Sequence, residues 1–307
     1  MVATEGMITR MSVRLVLLAL FVTGCQSSEP MDERTMSVVE MPDGWSAEYA
    51  QFSPNSERLA VLAFDSRARL RVGLVVGTEI HSVATQGRLT DFAWMPSSTE
   101  FLAAFGGIMR PAHLEVVDLN GQSKRVIELS MDIELTQRGM AVAPNGQRVV
   151  VSAQPLGGRS NPEDLFEIDL DSGAVRQLTN TPDTVEVFPV WRGGDVVFTE
   201  LRDHRTSSNL AIMSGGVVDW LTEGDIWFDR AAIDGAGQVY AAGFPASSPL
   251  QWQIYRVEEG STSRVDSPGP PVHWLTVRPD GRQIAGTDAA SPGSSGRIVV
   301  WRLRGVA

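Results

Sequence analysis

The residues best suited to hold an ion lie in one short stretch, "DLDSGAVRQLTNTPD" at 169–183, where Asp169, Asp171 and Ser172 put oxygens beside Gly173. A calcium loop between two helices would continue with a third oxygen ligand, a glycine at its sixth position and a glutamate at its twelfth. Position twelve here is Asn180, and the flanks "LFEI" and "AVRQLT" are β-prone rather than helical. The first expectation is therefore a hairpin turn in which Gly173 supplies a positive φ.

Other chemistry leaves fainter traces. The chain has no "GxSxG" nucleophile elbow, "HExxH" zinc helix, phosphate-binding loop or dinucleotide fingerprint. Its four histidines, His81, His113, His204 and His273, are spread too widely for a local metal motif. A ring-shaped fold can still bring distant residues to its axis, so spacing alone does not dismiss them. The densest charge is "ELRDHR", Glu200 to Arg205, which makes His204 a candidate on a binding loop. These observations predict no catalytic residue, no cofactor and no metal site.

Composition bounds the partners. The chain has 307 residues, 43% of them hydrophobic and 21% charged, with 29 Gly and 17 Pro and a formal charge of −11. That length and balance suit one large all-β domain. No basic run of five residues occurs, and neutralising phosphates needs clustered Lys and Arg, so a nucleic-acid partner is not expected.

The beginning of the chain reads as an export signal. In "MSVRLVLLALFVTGCQSS", Arg14 precedes an apolar run from Leu15 to Val22, then small residues and Cys25. A helix needs about 20 residues to span a bilayer, and this run is shorter. "VTGC" resembles the bacterial lipobox, which implies cleavage after residue 24 and acylation of Cys25. Cys25 is the only cysteine, so no internal disulfide forms and an acyl-acceptor role suits it. One acyl chain anchors only marginally, and a multiply acylated cysteine, palmitate included, attaches stably. Gln26 after the cysteine implies, by resemblance to enterobacterial sorting, an outer-membrane destination in a Gram-negative cell. Glu5 is unusual in a signal's basic leader, so translation is expected to start at Met7 or Met11 as readily as at Met1. The expected organisation is a signal at 1–24, the lipidated cysteine and a polar tether at 25–36, and one domain at 37–307.

That domain is repetitive. "YAQFSPNSERLAVLAF" (49), "DFAWMPSSTEFLAAF" (91), "GMAVAPNGQRVVVSA" (139), "VFPVWRGGDVVFTE" (187), "AAIDGAGQVYAAG" (231) and "WLTVRPDGRQIAGT" (274) each run an apolar strand through a turn into a second strand. The turns align on Pro54, Pro96, Pro144, Arg192, Asp234 and Pro279, at spacings of 42, 48, 48, 42 and 45 residues. A period of about 40 to 50 belongs to four-stranded propeller blades. "AHLEVVDLNGQSKRVIEL", "DLFEIDLDSGAVRQLT" and "SNLAIMSGGVVDWLT" supply the outer hairpins, so "DLDSG" falls at the outer turn of the third blade, its aspartates capping the turn.

"VRPDGRQIA" and "LTNTPDTVEVFPVWRGGDVVFTELRD" resemble the TolB-type propeller repeat, over about residues 37 to 304. The resemblance implies six blades, a non-catalytic envelope protein, and equally a fold used by some uronate lyases. The turns "SPNS" and "MPSS" depart from the pattern, as do the fourth and fifth, which lack proline. "GRIVVWRLRG" at 296–305 fits a third strand of the last blade with no fourth after it. "MSVVEM", Met36 to Met41, is expected to supply that strand and lock the ring.

Repeat phase sorts the tryptophans. Trp94 and Trp191 fall on inner strands and are expected to pack between blades. Trp45, Trp227 and Trp274 fall near blade beginnings, and with Phe228, Asp229 and His204 they are the candidate partner-binding residues, since aromatic side chains dominate interface hot spots. Two functional classes follow. One is a membrane-anchored scaffold binding an envelope protein or glycan; the other is a saccharide lyase or hydrolase working in the channel.

Overall fold

The computed structural model describes residues 36–76, 79–83, 87–107, 110–157, 162–202, 207–249, 251–265, 272–288 and 296–303. Cys25, His204 and the signal and tether lie outside them. Among the described residues, twenty-four strands form six four-stranded antiparallel sheets. Innermost strand first, blade 1 is β2 (Ser46–Phe52), β3 (Leu59–Phe64), β4 (Leu70–Val76) and β5 (Glu79–Val83). Blade 2 is β6 (Leu89–Trp94), β7 (Glu100–Gly107), β8 (Arg110–Asp118) and β9 (Ser123–Glu128). Blade 3 is β10 (Ile133–Val142), β11 (Arg148–Pro155), β12 (Asp164–Asp169) and β13 (Val175–Gln177). Blade 4 is β14 (Val185–Arg192), β15 (Asp195–Arg202), β16 (Ser207–Ser214) and β17 (Val217–Trp220). Blade 5 is β18 (Ile226–Ile233), β19 (Val239–Pro245), β20 (Gln253–Glu258) and β21 (Ser261–Val265). Blade 6 is β22 (Val272–Val277), β23 (Gln283–Asp288), β24 (Ile298–Arg302) and, from the other end of the chain, β1 (Ser37–Val39).

The expected clasp is present. β1 pairs antiparallel with β24, Ser37 opposite Val300 and Val39 opposite Ile298, and Val39 is buried among Ala47, Ile298 and Val300. One edge strand is thereby removed and the first blade is stitched to the last.

Middle strands are near-continuous apolar runs because both faces are covered by neighbouring blades; β3, "LAVLAF", is buried at its first five positions. The turns between first and second strands repeat one geometry. A hydrogen-bonded turn closes the hairpin in blades 1, 2, 3, 5 and 6, its bond reaching four positions on in blade 5, from Asp234 N to Gln238 O, and five in the others, as in Ser53 N to Arg58 O at 2.8 Å and Ala143 N to Arg148 O at 2.7 Å. Its fourth residue is left-handed. Glycine fills that place at Gly146, Gly237 and Gly281, whereas Ser56 and Ser98 adopt φ of 64° and 58° in the two departing turns. In blade 5, Gly235 stands where the others have proline, and the carboxylate of Asp234 before it accepts the N–H groups of Ala236 and Gln238, both at 2.9 Å.

Trp94 and Trp191 do pack between blades. Trp94 Nε1 donates to Gln51 O of blade 1 at 3.0 Å, and Trp191 Nε1 to Ala141 O of blade 3 at 2.9 Å. "DLDSG" is the β12–β13 turn: Asp169 Oδ1 accepts from Asp171 N and Ser172 N, and Gly173 takes φ +71°. Among the described residues no group of three His, Cys, Asp or Glu is placed to hold a metal ion, and no helix is long and apolar enough to cross a membrane.

Candidate functional site

All six innermost strands break register, between Ala47 and Tyr49, Leu89 and Asp91, Leu135 and Met140, Val187 and Val190, Phe228 and Ala231, and His273 and Thr276. Bulges re-aim side chains. Here they turn a ring of side chains onto the axis.

Those side chains close the channel. Phe92 and Tyr49 stack at 5.6 Å between ring centroids, Tyr49 stacks on Trp274 at 5.6 Å, and Trp274 meets Phe188 edge-on at 5.3 Å. Offset stacks and edge contacts of this kind each add about 0.5–1.5 kcal/mol beyond area burial. Phe188 and Trp274 occupy their places at φ of 57° and 51°. Bulky residues rarely adopt such angles, and they do so where the surroundings impose them, commonly at functional sites.

A buried polar group is built into the plug. Asp91, 2% exposed, accepts from the Tyr49 hydroxyl, from Phe92 N at 2.8 Å and from Gly139 N at 3.1 Å. Arg230 places its guanidinium 4.6 Å from the Tyr49 ring centre. Blade 1 gives Tyr49, blade 2 Asp91 and Phe92, blade 3 Gly139, blade 4 Phe188, blade 5 Arg230 and blade 6 Trp274, so every blade contributes. Burial raises the Asp91 carboxyl to about 6 despite its donors and the nearby Arg230 charge. It also raises the Tyr49 hydroxyl well above its ordinary value, with Asp91 acting in the same direction.

The plug separates two cavities. One, about 470 Å³, opens among the turns between first and second strands and is rimmed by Pro54, Pro96, Pro144 and Pro279. The other, about 510 Å³, opens at the opposite face, where the innermost strands begin. Glu48, Phe188, Trp227, Phe228, Asp229, Phe244, Trp252 and Trp274 line it together with Leu201 and Ser208.

This second cavity gathers most of the aromatic residues nominated from sequence. Trp227, Phe228, Asp229 and Trp274 all line it. Trp45 does not; it packs with Ile80 against blade 1, within 3.5 Å of where a side chain on Gly73 would start. His204 lies outside the described residues. An aromatic arc runs along the wall, from Trp227 to Phe244 (5.7 Å, stacked), Phe244 to Trp252 (4.9 Å, edge-on) and Trp252 to His273 (4.3 Å). Sequence phase missed Phe244 and Trp252 because they belong to β19 and to the segment before β20 rather than to an innermost strand.

Its polar groups are few. Burial raises the Glu48 carboxyl. Burial lowers His273, with Asp288 opposing, so the imidazole is held toward its neutral form. Ser208 donates to Phe228 O at 2.8 Å and the Thr199 hydroxyl to Asp229 O, fixing the β18 bulge against blade 4. His81 and His113 sit elsewhere, beside Glu79 at 3.7 Å and Glu115 at 3.2 Å. The described histidines therefore do not converge. What the cavity offers is flat aromatic surface with carboxylates at its edge.

At the level of sequence, no protein-family model matches the chain, and no curated protein does. Solved structures do match. A protein described as a TolB of Agrobacterium tumefaciens superposes with a TM-score of 0.59 at 12% identity, covering 84% of this chain and 90% of that one. TolB from Acinetobacter baumannii gives 0.57 at 15%, over 85% of this chain, which spans 64% of that protein. An oligogalacturonate lyase from Vibrio parahaemolyticus gives 0.53 at 14%, over 82% and 74%. At such identities the likeness is one of fold: a six-bladed all-β propeller of the kind found in TolB proteins and also in a lyase.

Proposed function

We propose that the protein is a non-catalytic binding module of the cell envelope, held at the membrane by acylated Cys25, which grips an apolar, positively charged segment of a partner protein in the aromatic funnel. The observation that carries this reading is the arc Trp227–Phe244–Trp252 above a floor of Phe188 and Trp274. Rigid aromatic faces supply large contact area at low entropic cost, which is why they dominate hot spots. Glu48 and Asp229 beside them, on a chain of formal charge −11, favour a Lys or Arg on the partner. A blind floor suits the end or a bent loop of a partner rather than a threaded chain.

The same aromatic faces would also stack on sugar rings, and the lyase likeness keeps a glycan-binding or glycan-cleaving reading in view. One experiment separates them. Detergent-solubilised envelope is passed over the protein lipidated at Cys25, over a Cys25→Ala form, and over Trp227→Ala and Trp252→Ala variants that retain wild-type circular dichroism. The expected result is a partner protein retained by the first two and lost with both tryptophan variants. Retention unaffected by either tryptophan rejects the funnel as its site. Binding or cleavage of a purified envelope glycan, with no protein retained, replaces the protein reading by the glycan one.

A further inference from the structure

The cavity among the turns plays no part in the reading above, and its floor is a charged side chain. Arg230 lines it while only 7% exposed, and its Nη1 is shut off from solvent without an acceptor. A buried donor left unpaired costs about 1–3 kcal/mol, so native proteins seldom keep one without a use for it. The carboxylate that feels the Arg230 charge, Asp91, is already occupied by the Tyr49 hydroxyl and the N–H groups of Phe92 and Gly139. Asp91 thus offsets the charge of Arg230 without taking up its Nη1.

We propose that the turn-face funnel is a binding site for a single carboxylate group, received by Arg230 at its floor. The guanidinium is a planar fork that matches the two oxygens of a carboxylate. Its central carbon lies 4.6 Å over the Tyr49 ring, a cation–π contact that helps to place the guanidinium before any ligand arrives. The funnel's other lining is mostly apolar, the polar exceptions being Gln51, Thr276 and Asp234, whose carboxylate accepts from Ala236 N and Gln238 N in its own turn, and the volume of about 470 Å³ admits one sugar ring or a few residues of peptide. Because Asp91 opposes the long-range attraction, selection leans on hydrogen-bond geometry at the floor. The ligand is a slim group carrying its acid at one end.

Trp94 and Trp191 line the same cavity, so their fluorescence reports occupancy. The full chain is titrated with trialanine and its C-terminal amide, and with galacturonic acid and its methyl ester. At least one of the two acids is expected to bind more tightly than its uncharged counterpart by about tenfold or more, the loss of a charge-assisted pair. Whichever pair shows the difference identifies the source as peptide terminus or uronate. Arg230→Gln should weaken the acid by a similar factor. Should that variant fail to fold, Ala141→Phe narrows the funnel without touching the guanidinium and is expected to abolish binding. Equal binding of acid and neutral forms in both pairs, no acid binding at millimolar concentration, or unchanged affinity in a folded Arg230→Gln or Ala141→Phe protein overturns the proposal. None of these outcomes depends on the aromatic funnel at the other end of the axis.

Discussion

Asp91 and Glu186 are carboxylates placed where water hardly reaches, and each is ringed by donors that only partly make up for burial. Burial raises Asp91 from 3.8 to about 6; it raises Glu186 from 4.5 to about 7 in spite of hydrogen bonds from Thr179, Thr181 and Thr184. Both hold a proton more tightly folded than unfolded. Their contribution is therefore fully present below the unfolded values and is lost as pH rises through about 6 and 7. For Asp91 the difference amounts to about 3 kcal/mol at most. Asp65, Asp118 and Asp169 act oppositely, held below their ordinary values by bonds from Arg69, Lys124 and Ser172 among others, and weaken the fold only under more acidic conditions. The melting temperature is thus expected to rise by several degrees from pH 8 to pH 5. Calorimetry on Asp91→Asn and Glu186→Gln should show flatter profiles, and a wild-type profile that falls over this range contradicts the assignment. Neither carboxylate was nominated from sequence. Asp91, Glu48 and Arg230 do leave a trace there, as charges interrupting innermost strands that are otherwise apolar, but a charge in a strand normally means a solvated face. Only the bulges show that these face the axis.

Strands and turns were the most legible level, because a period of two within a period of about 45 leaves few alternatives. The clasp followed from a missing edge, and its weight can be measured. Deleting residues 36–41 removes three ladder pairs and the buried Val39, and exposes β24 as an edge. A drop in melting temperature of roughly 10 °C or more is expected, since a closed ring gives up one interface on opening; an unchanged value would show the ring closed by blade packing alone. The "DLDSG" turn carries a second test. An added Cβ on Gly173 would come 1.9 Å from Glu128 O of blade 2, at φ +71°, while Gly173 O accepts from Ser130 N at 2.9 Å. The glycine thus serves blade contact as well as the turn. Gly173→Ala should cost at least about 2 kcal/mol in denaturant unfolding, strain and backbone clash together. Ser56 sits in a left-handed place normally given to glycine, so Ser56→Gly should be neutral or stabilising. The register breaks themselves were illegible, because a bulge changes pairing without demanding any residue type.

Across the whole disc, the direction of one strand sets which face a tethered molecule presents. Innermost strands run from the aromatic funnel toward the turns, so β23 returns, β24 repeats the first direction, and β1 runs from the turn face to the aromatic face. The chain that precedes Ser37 therefore leaves on the turn side. Cys25 lies twelve residues earlier, a span of at most roughly 40 Å when fully extended. A lipid at that cysteine would hold the turn face, with Arg230 at the bottom of its funnel, toward the bilayer and leave the arc of Trp227, Phe244 and Trp252 open to partners on the far side. Fluorophores placed at exposed Asn145→Cys, on the turn face, and at exposed Ser247→Cys, beyond β19 on the aromatic face, test this in acylated protein on vesicles with spin-labelled headgroups. Stronger quenching at position 145 is expected. Equal quenching would mean that the tether lets the disc tumble, and stronger quenching at 247 would turn the aromatic funnel toward the membrane and make a lipid-embedded partner the one to seek.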